Sequence, residues 1–165
     1  MKKYFVIGNP IEHSLSPKLH NYWIKKNNID AIYEKKKLNI DQLKEIILSV
    51  KNKRIHGINV TVPFKREVIR YLDNLTPEAR ITQSVNTIYL EGNQIKGHNT
   101  DIVGFTLSLE ETNVDMVNKK VLILGAGGVV PSIIYSLNQM KVSSISVSNR
   151  TKNKAEDLKK LFNNI

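Results

Sequence analysis

Val121-Leu122-Ile123-Leu124-Gly125-Ala126-Gly127-Gly128 is the stretch on which the fold reading turns. Four consecutive apolar residues without polar alternation read as a strand buried on both faces, the pattern of a parallel sheet covered by helices. Gly125 allows a tight turn out of the strand, Gly127 leaves room for a ligand to approach the backbone, and a helix follows to about Met140. Such a turn offers a pyrophosphate unpaired N–H groups and the positive end of a helix dipole. The third glycine position of this fingerprint holds Val130. A plain strand-to-helix turn is the alternative.

The next strand, 144–148, ends at Asn149-Arg150-Thr151, and Gly128 plus 21 is Asn149. A site for NAD normally places a carboxylate there for the ribose hydroxyls. Here the position carries none, and Arg150 with Lys154 suits a 2′-phosphate, so NADP(H) is preferred over NAD. The competing reading is a helix-capping turn.

Upstream the chain alternates strand and helix. Strands are expected at 4–7, 31–36 and 56–62, and a hairpin at 86–90 and 94–96. Helices are expected at 17–26 with Ser16 as N-cap, after Asp41 with Leu43, Ile46, Ile47 and Val50 on one face, and at 64–72. Further helices are expected after Thr76-Pro77, at 101–111 and at 151–162, with a polar link at 112–120. Strand–helix alternation means an α/β fold. The unit after the link holds only two strands and two helices, so it reads as the start of a doubly wound sheet, truncated at Ile165.

Three polar clusters fall at strand ends. His13-Ser14-Leu15-Ser16-Pro17 sets two alternate serines before a helix, where both can donate to a carboxylate, or where Ser16 is only a cap. In Asn59-Val60-Thr61-Val62-Pro63-Phe64-Lys65, alternation sends Asn59 and Thr61 to one face, and Lys65 follows the proline-enforced end of the strand. The third cluster is Asn86-Thr87 with Asn99-Thr100-Asp101. Asp101 is by default an N-cap; alternatively it meets Lys65 across a cleft as an acid/base pair.

Composition narrows the classes. The chain has 165 residues, 41% hydrophobic and 24% charged, ordinary for a globular protein and long enough for a real core. It has no cysteine, which excludes disulfides, thiolate metal sites and thiol nucleophiles. The four histidines have no metal-like spacing, and no metal is assigned. The apolar run at 4–7 is far too short for a signal peptide or a membrane span, so a cytoplasmic protein without a membrane partner is expected. Net charge is +10, with 17 Lys+Arg against 10 Asp+Glu in residues 1–103 and 8 against 5 in 104–165. That spread is unlike the clustered charge of nucleic-acid binders, and no nucleic-acid partner is expected. A basic surface still steers small anions inward.

Taken together, Gly8-Asn9-Pro10-Ile11-Glu12-His13-Ser14-Leu15-Ser16-Pro17 with His20-Asn21, Asn59 to Lys65, Ser84-Val85-Asn86-Thr87, Gly97-His98-Asn99-Thr100-Asp101 with Gly104, Gly125 to Gly128 and Asn149-Arg150-Thr151 resemble the shikimate dehydrogenase family over the whole chain. The resemblance implies an oxidoreductase of chorismate and aromatic amino-acid biosynthesis, reversibly reducing 3-dehydroshikimate to shikimate with NADPH. It implies a three-layer α/β substrate domain at 1–103 with a mostly parallel sheet, a connecting helix and link at 104–118, and a partial Rossmann-like NADP-binding domain at 119–165. By position, Ser14 and Ser16 would bind the substrate carboxylate, and Asn59, Thr61, Asn86 and Asp101 the ring hydroxyls. Lys65 would be the catalytic acid/base, paired with Asp101. Gly125, Ala126, Gly127, Gly128 and Val129 would hold the pyrophosphate, and Asn149, Arg150, Thr151 and Lys154 the 2′-phosphate. A homodimer is compatible with it.

The chain departs from the family pattern at Ile102, where glycine is common, at Val130-Pro131, where small or basic residues are usual, and at Pro77, where an acidic residue is frequent. The alternatives carried beside this reading are a relative that also accepts quinate, with NAD, and a substrate-binding fragment that is catalytically incomplete.

Overall fold

The computed structural model describes residues 1–163 and Ile165. It holds two sheets. The larger has six strands: β1 (Lys2–Gly8), β2 (Ala31–Lys37), β3 (Gly57–Val60), β4 (Asn74–Leu75), β5 (Thr87–Glu91) and β6 (Gln94–His98), in the order β2-β1-β3-β5-β6-β4. β2, β1 and β3 run parallel, β5 turns antiparallel to β3, and β5 and β6 form the expected hairpin. The smaller sheet pairs β7 (Lys120–Leu124) with β8 (Ser144–Ser148) in parallel. The helices are α1 (Ser16–Lys26), α2 (Leu43–Lys51), α3 (Pro77–Thr82), α4 (Asp101–Glu111), α5 (Val130–Gln139) and α6 (Lys152–Leu161).

The alternation of side chains along β1 builds the layers. Ile7 and Phe5 face α2, whose Leu43, Ile46, Ile47 and Val50 are all buried with Ile58, Ile88 and Phe64 in the main core. Val6 and Tyr4 face the other way and pack with Ile11, Tyr33 and Ile24 of α1. The sheet is thus a middle layer between helices. Truncating a side chain such as Ile47, 1% exposed, costs about 2–5 kcal/mol.

Several local expectations need correction. Ser16 is the first residue of α1, not its cap: Leu15 holds that position without a side-chain bond. The turn before α2 is capped by Asn39 with Gln42 in a reciprocal box, and Asp41 lies inside it. β3 stops at Val60, since Thr61 and Val62 lead into a cis Val62–Pro63 bond, and only residues 67–71 of the expected 64–72 helix form a 3-10 turn. β7 is not buried on both faces. Val121 and Ile123 join the core of α5, Ile145, Leu158 and Phe162, whereas Leu122 and Leu124 are exposed. A helix layer covers one face of the two-stranded sheet and, among the described residues, nothing covers the other. The expected Thr76 cap of α3 and the span of α4 agree with the structure. No helix among the described residues is long and apolar enough to cross a membrane.

Candidate active site

The carboxyl ends of β1 and β3, the loop after β1 and the start of α4 converge on one cleft. Residues 9–15 form that loop, and Glu12 ties it to β2: its carboxylate accepts from Lys37 Nζ at 2.9 Å and its carbonyl from Lys35 Nζ. The Lys37 ammonium, with backbone N–H donors, holds the Glu12 carboxyl down to about 2. The loop walls a cavity of about 280 Å³ together with Val6, Thr61, Ser14 and Ser16. Gly8 is required beneath it, because a Cβ there would lie 2.6 Å from Thr61 Cγ2 and 3.0 Å from the Val62 carbonyl. Ser14, Ser16 and Thr61 therefore share one lining, with both serines half-buried.

A continuous hydrogen-bond chain runs on from there. Asn59 Nδ2 donates to the Asn86 carbonyl at 3.2 Å and to Thr87 Oγ1 at 3.1 Å. Asn86 Nδ2 donates to Asp101 Oδ1 at 2.9 Å and to Thr100 Oγ1 at 2.8 Å, and Asn86 Oδ1 accepts from the Thr100 amide. Asp101 Oδ2 accepts from Lys65 Nζ at 2.6 Å. Asp101 does not cap α4; Thr100 occupies that position, and the Asp101 carboxylate is left for Lys65 and Asn86. Asn59, Asn86, Asp101 and Lys65 are brought together, and of the two readings left open for Asp101 the structure shows the pairing with Lys65.

The glycine loop reaches the same place. Gly125 has φ +114°, a conformation that needs glycine, and its amide donates to the Ser148 carbonyl at 2.7 Å. Asn149 Oδ1 accepts from the Ala126 amide at 3.1 Å, which clips β8 to the loop. A Cβ on Gly127 would meet nothing within 4 Å, so the backbone there is open to a ligand. Val129 precedes α5 without a side-chain cap, and Pro131 at the second position withdraws one N–H from that helix end. Among the described residues, the amides of Gly127, Gly128 and Val129 have no partner. Gly128 sits beside the catalytic candidate: a Cβ there would lie 3.8 Å from Lys65 Cδ. Arg150, Thr151 and Lys154 are exposed at the start of α6, beyond the clip. These features suit a phosphate-bearing dinucleotide: open backbone, an uncapped helix end and unburied cations beyond the second strand.

Some residues around the site were assigned no site function from the sequence, although Ser84, Asn99, His20 and Asn21 lie in segments that carry the resemblance. Ser84 Oγ donates to the Gly128 carbonyl at 3.1 Å, joining the large sheet's helix–strand connection to the glycine loop. Asn99, 1% exposed, donates from Nδ2 to Ser132 Oγ at 2.8 Å and to Thr82 Oγ1 at 3.2 Å, while its Oδ1 accepts from the Asp101 amide at 3.0 Å. Ser136 Oγ donates to the Ile102 carbonyl at 3.2 Å. Ile102, which stands where glycine is common, is buried beside this seam. Only the tertiary pairing of α4 with α5 makes these contacts visible. His20, Asn21 and Tyr33 are the other such group, and the approach of α1 to β2 creates it.

Comparison with known proteins agrees with this arrangement. Residues 6–88 match the family model described as shikimate dehydrogenase substrate binding domain, and residues 107–165 match the model described as shikimate / quinate 5-dehydrogenase. The chain is 58% identical over 163 residues to the NADP(+) shikimate dehydrogenase of Pelagibacter ubique, covering 98% of this chain and 62% of that protein. Shikimate dehydrogenase from Aquifex aeolicus superposes with a TM-score of 0.91 at 38% identity, over 99% of this chain and 61% of that one. The Thermus thermophilus enzyme, solved in complex with NADP(H) and shikimate, superposes with a TM-score of 0.87 at 29% identity, over 99% of this chain and 61% of that one. The chain thus spans about three fifths of the length of these relatives.

Proposed function

The chain belongs to the shikimate dehydrogenase family, and on that premise we propose that it carries the substrate site and the first nucleotide-binding elements of an NADP-dependent shikimate dehydrogenase. The observation that carries the reading is the position of Lys65, bonded to Asp101 on one side and bordered by Gly128 of the dinucleotide loop on the other. In this reading Lys65 is the proton donor between the substrate cavity and the dinucleotide loop.

In this reading residues 1–103 form the substrate domain, 104–118 the connection and 119–165 the nucleotide-binding unit. Ser14 and Ser16, which both line the cavity, hold the carboxylate of shikimate. Asn59, Thr61, Asn86 and Asp101 take ring hydroxyls; their amides and carboxylate are already oriented by the chain of bonds above, so little is lost in fixing them on binding. Lys65 gives a proton to the C3 oxygen as 3-dehydroshikimate becomes shikimate and takes it back in reverse. Asp101 and the packed Lys65 stem hold the ammonium in place for that transfer. NADPH, when bound, supplies the hydride. The amides of Gly127, Gly128 and Val129 hold its pyrophosphate, Asn149 keeps the loop in register, and Arg150, Thr151 and Lys154 meet the 2′-phosphate.

A cytoplasmic location and a homodimer belong to the same proposal; the exposed Leu19, Tyr22 and Trp23 on α1, with the cap residue Leu15, form an apolar face that a second copy can cover. Kinetics with shikimate and quinate, each paired with NADP⁺ and NAD⁺, test the assignment. Shikimate with NADP⁺ is expected to give the highest kcat/KM, and a preference for quinate or NAD⁺ overturns it.

A further inference from the structure

Tyr33 is the only buried residue of β2, at 4% exposure, and its hydroxyl donates to Asn59 Oδ1 at 2.7 Å. The Asn59 amide has one workable orientation. Its Nδ2 faces the Asn86 carbonyl, which only accepts, so turning the amide over would set two acceptors against each other. Oδ1 must then face Tyr33, and Tyr33 must be the donor. Burial pushes the Tyr33 hydroxyl above the ordinary tyrosine range, with the Ser16 hydroxyl opposing, so the donor proton stays in place.

Tyr33 is itself held by two consecutive residues of α1. The His20 ring stacks on it with centroids 4.2 Å apart and 9° between planes. Asn21 brackets its backbone, donating to the Tyr33 carbonyl at 2.7 Å and accepting from the Tyr33 amide at 3.0 Å. Side chain and backbone of one strand residue are thereby fixed from one helix turn.

We propose that Tyr33, clamped by His20 and Asn21, is a positioning residue that sets the Asn59 carboxamide for a ligand hydroxyl. This rests on the shikimate reading only for the identity of the ligand. Without the Tyr33 hydroxyl, Asn59 Oδ1 loses its donor in a half-buried site and the carboxamide is held from its Nδ2 side alone.

Tyr33→Phe keeps the ring and its stack, and thermal unfolding checks that the fold is retained. In the ligand-free protein, the Asn59 side-chain amide signals, assigned by their loss in Asn59→Asp, are expected to shift and broaden in Tyr33→Phe. Shikimate titrated by calorimetry is expected to bind roughly 5- to 50-fold more weakly. In an Asn59→Ala background, Tyr33→Phe should add less than about twofold. Unmoved Asn59 signals overturn the proposal, as does an equal loss of affinity in both backgrounds. If Tyr33→Phe fails to fold, the wild-type protein still decides: a slowly exchanging Tyr33 hydroxyl proton with a cross-peak to Asn59 supports the proposal, and its absence overturns it. If the wild-type protein does not bind shikimate, the substrate assignment fails, while the Asn59 signals still decide the positioning role.

Discussion

Lys65 Nζ lies 2.6 Å from Asp101 Oδ2, with the two side chains only 13% and 22% exposed. The residues are 36 positions apart and come from different elements, the turn after β3 and the first turn of α4. Asn86, also hydrogen-bonded to Asp101, fixes the carboxylate's other oxygen. An ammonium so held keeps its other two N–H bonds for a ligand. Replacing Asp101 with Asn keeps the shape and removes the charge that orients the ammonium. We expect Asp101→Asn to lower kcat by about 10²-fold while KM for shikimate changes less than about tenfold. Steady-state kinetics with saturating NADP⁺ measure both; a loss confined to KM would assign Asp101 to binding alone.

Asn99 joins the start of α4 to α3 and α5 through two buried bonds, to Thr82 and Ser132, and a part-buried one from the Asp101 amide. Asn99→Leu leaves all three partners without it, two of them in a site closed to water. A destabilisation of about 2–4 kcal/mol is expected in denaturant unfolding. A change within about 0.5 kcal/mol would mean the seam is not structurally important.

Arg150 is exposed and has no acidic neighbour in Asn149-Arg150-Thr151. Arg150→Ala should therefore remove a charge-assisted bond to the 2′-phosphate without touching the rest of the dinucleotide. KM for NADP⁺ is expected to rise roughly 10- to 100-fold with KM for NAD⁺ within about twofold. Equal losses with both cofactors would place Arg150 elsewhere than the 2′-phosphate.

Burial lowers His20 below its ordinary 6.5. The folded protein thus binds the proton less readily than the unfolded chain, whose histidine titrates at the ordinary value. The sign follows: this group leaves stability flat above pH 6.5 and reduces it as pH falls from 6.5 toward the lowered folded value. Thermal midpoints across that window should decline less steeply in His20→Phe than in wild type. Parallel declines would show that His20 does not titrate against folding.

Much of this arrangement was legible in the sequence, and the failures have physical causes. Strand alternation and turn chemistry placed Asn59, Lys65 and Asp101 at element ends, but left Asp101 as a helix cap or a partner of Lys65; only the family resemblance chose the pair. The apolar run 121–124 could not reveal that Leu122 and Leu124 are exposed, because periodicity reports a residue's fitness for burial and not the presence of a covering layer. Ser16 looked like a cap because serine before Pro17 usually is one; the helix begins one residue earlier. The contacts of Tyr33, Ser84 and Asn99 escaped for a third reason. Their partners lie across tertiary contacts, and no local pattern encodes a strand tyrosine meeting an asparagine 26 positions away.

We propose that Lys65 carries the proton in a hydride transfer between shikimate and NADP⁺. The most direct test is NADP⁺ reduction driven by shikimate, comparing wild type with Lys65→Met. Shikimate-dependent reduction is expected in the wild type and a kcat about 10²- to 10⁴-fold lower in Lys65→Met, with shikimate still bound in a calorimetric titration. Turnover in Lys65→Met equal to wild type would contradict it.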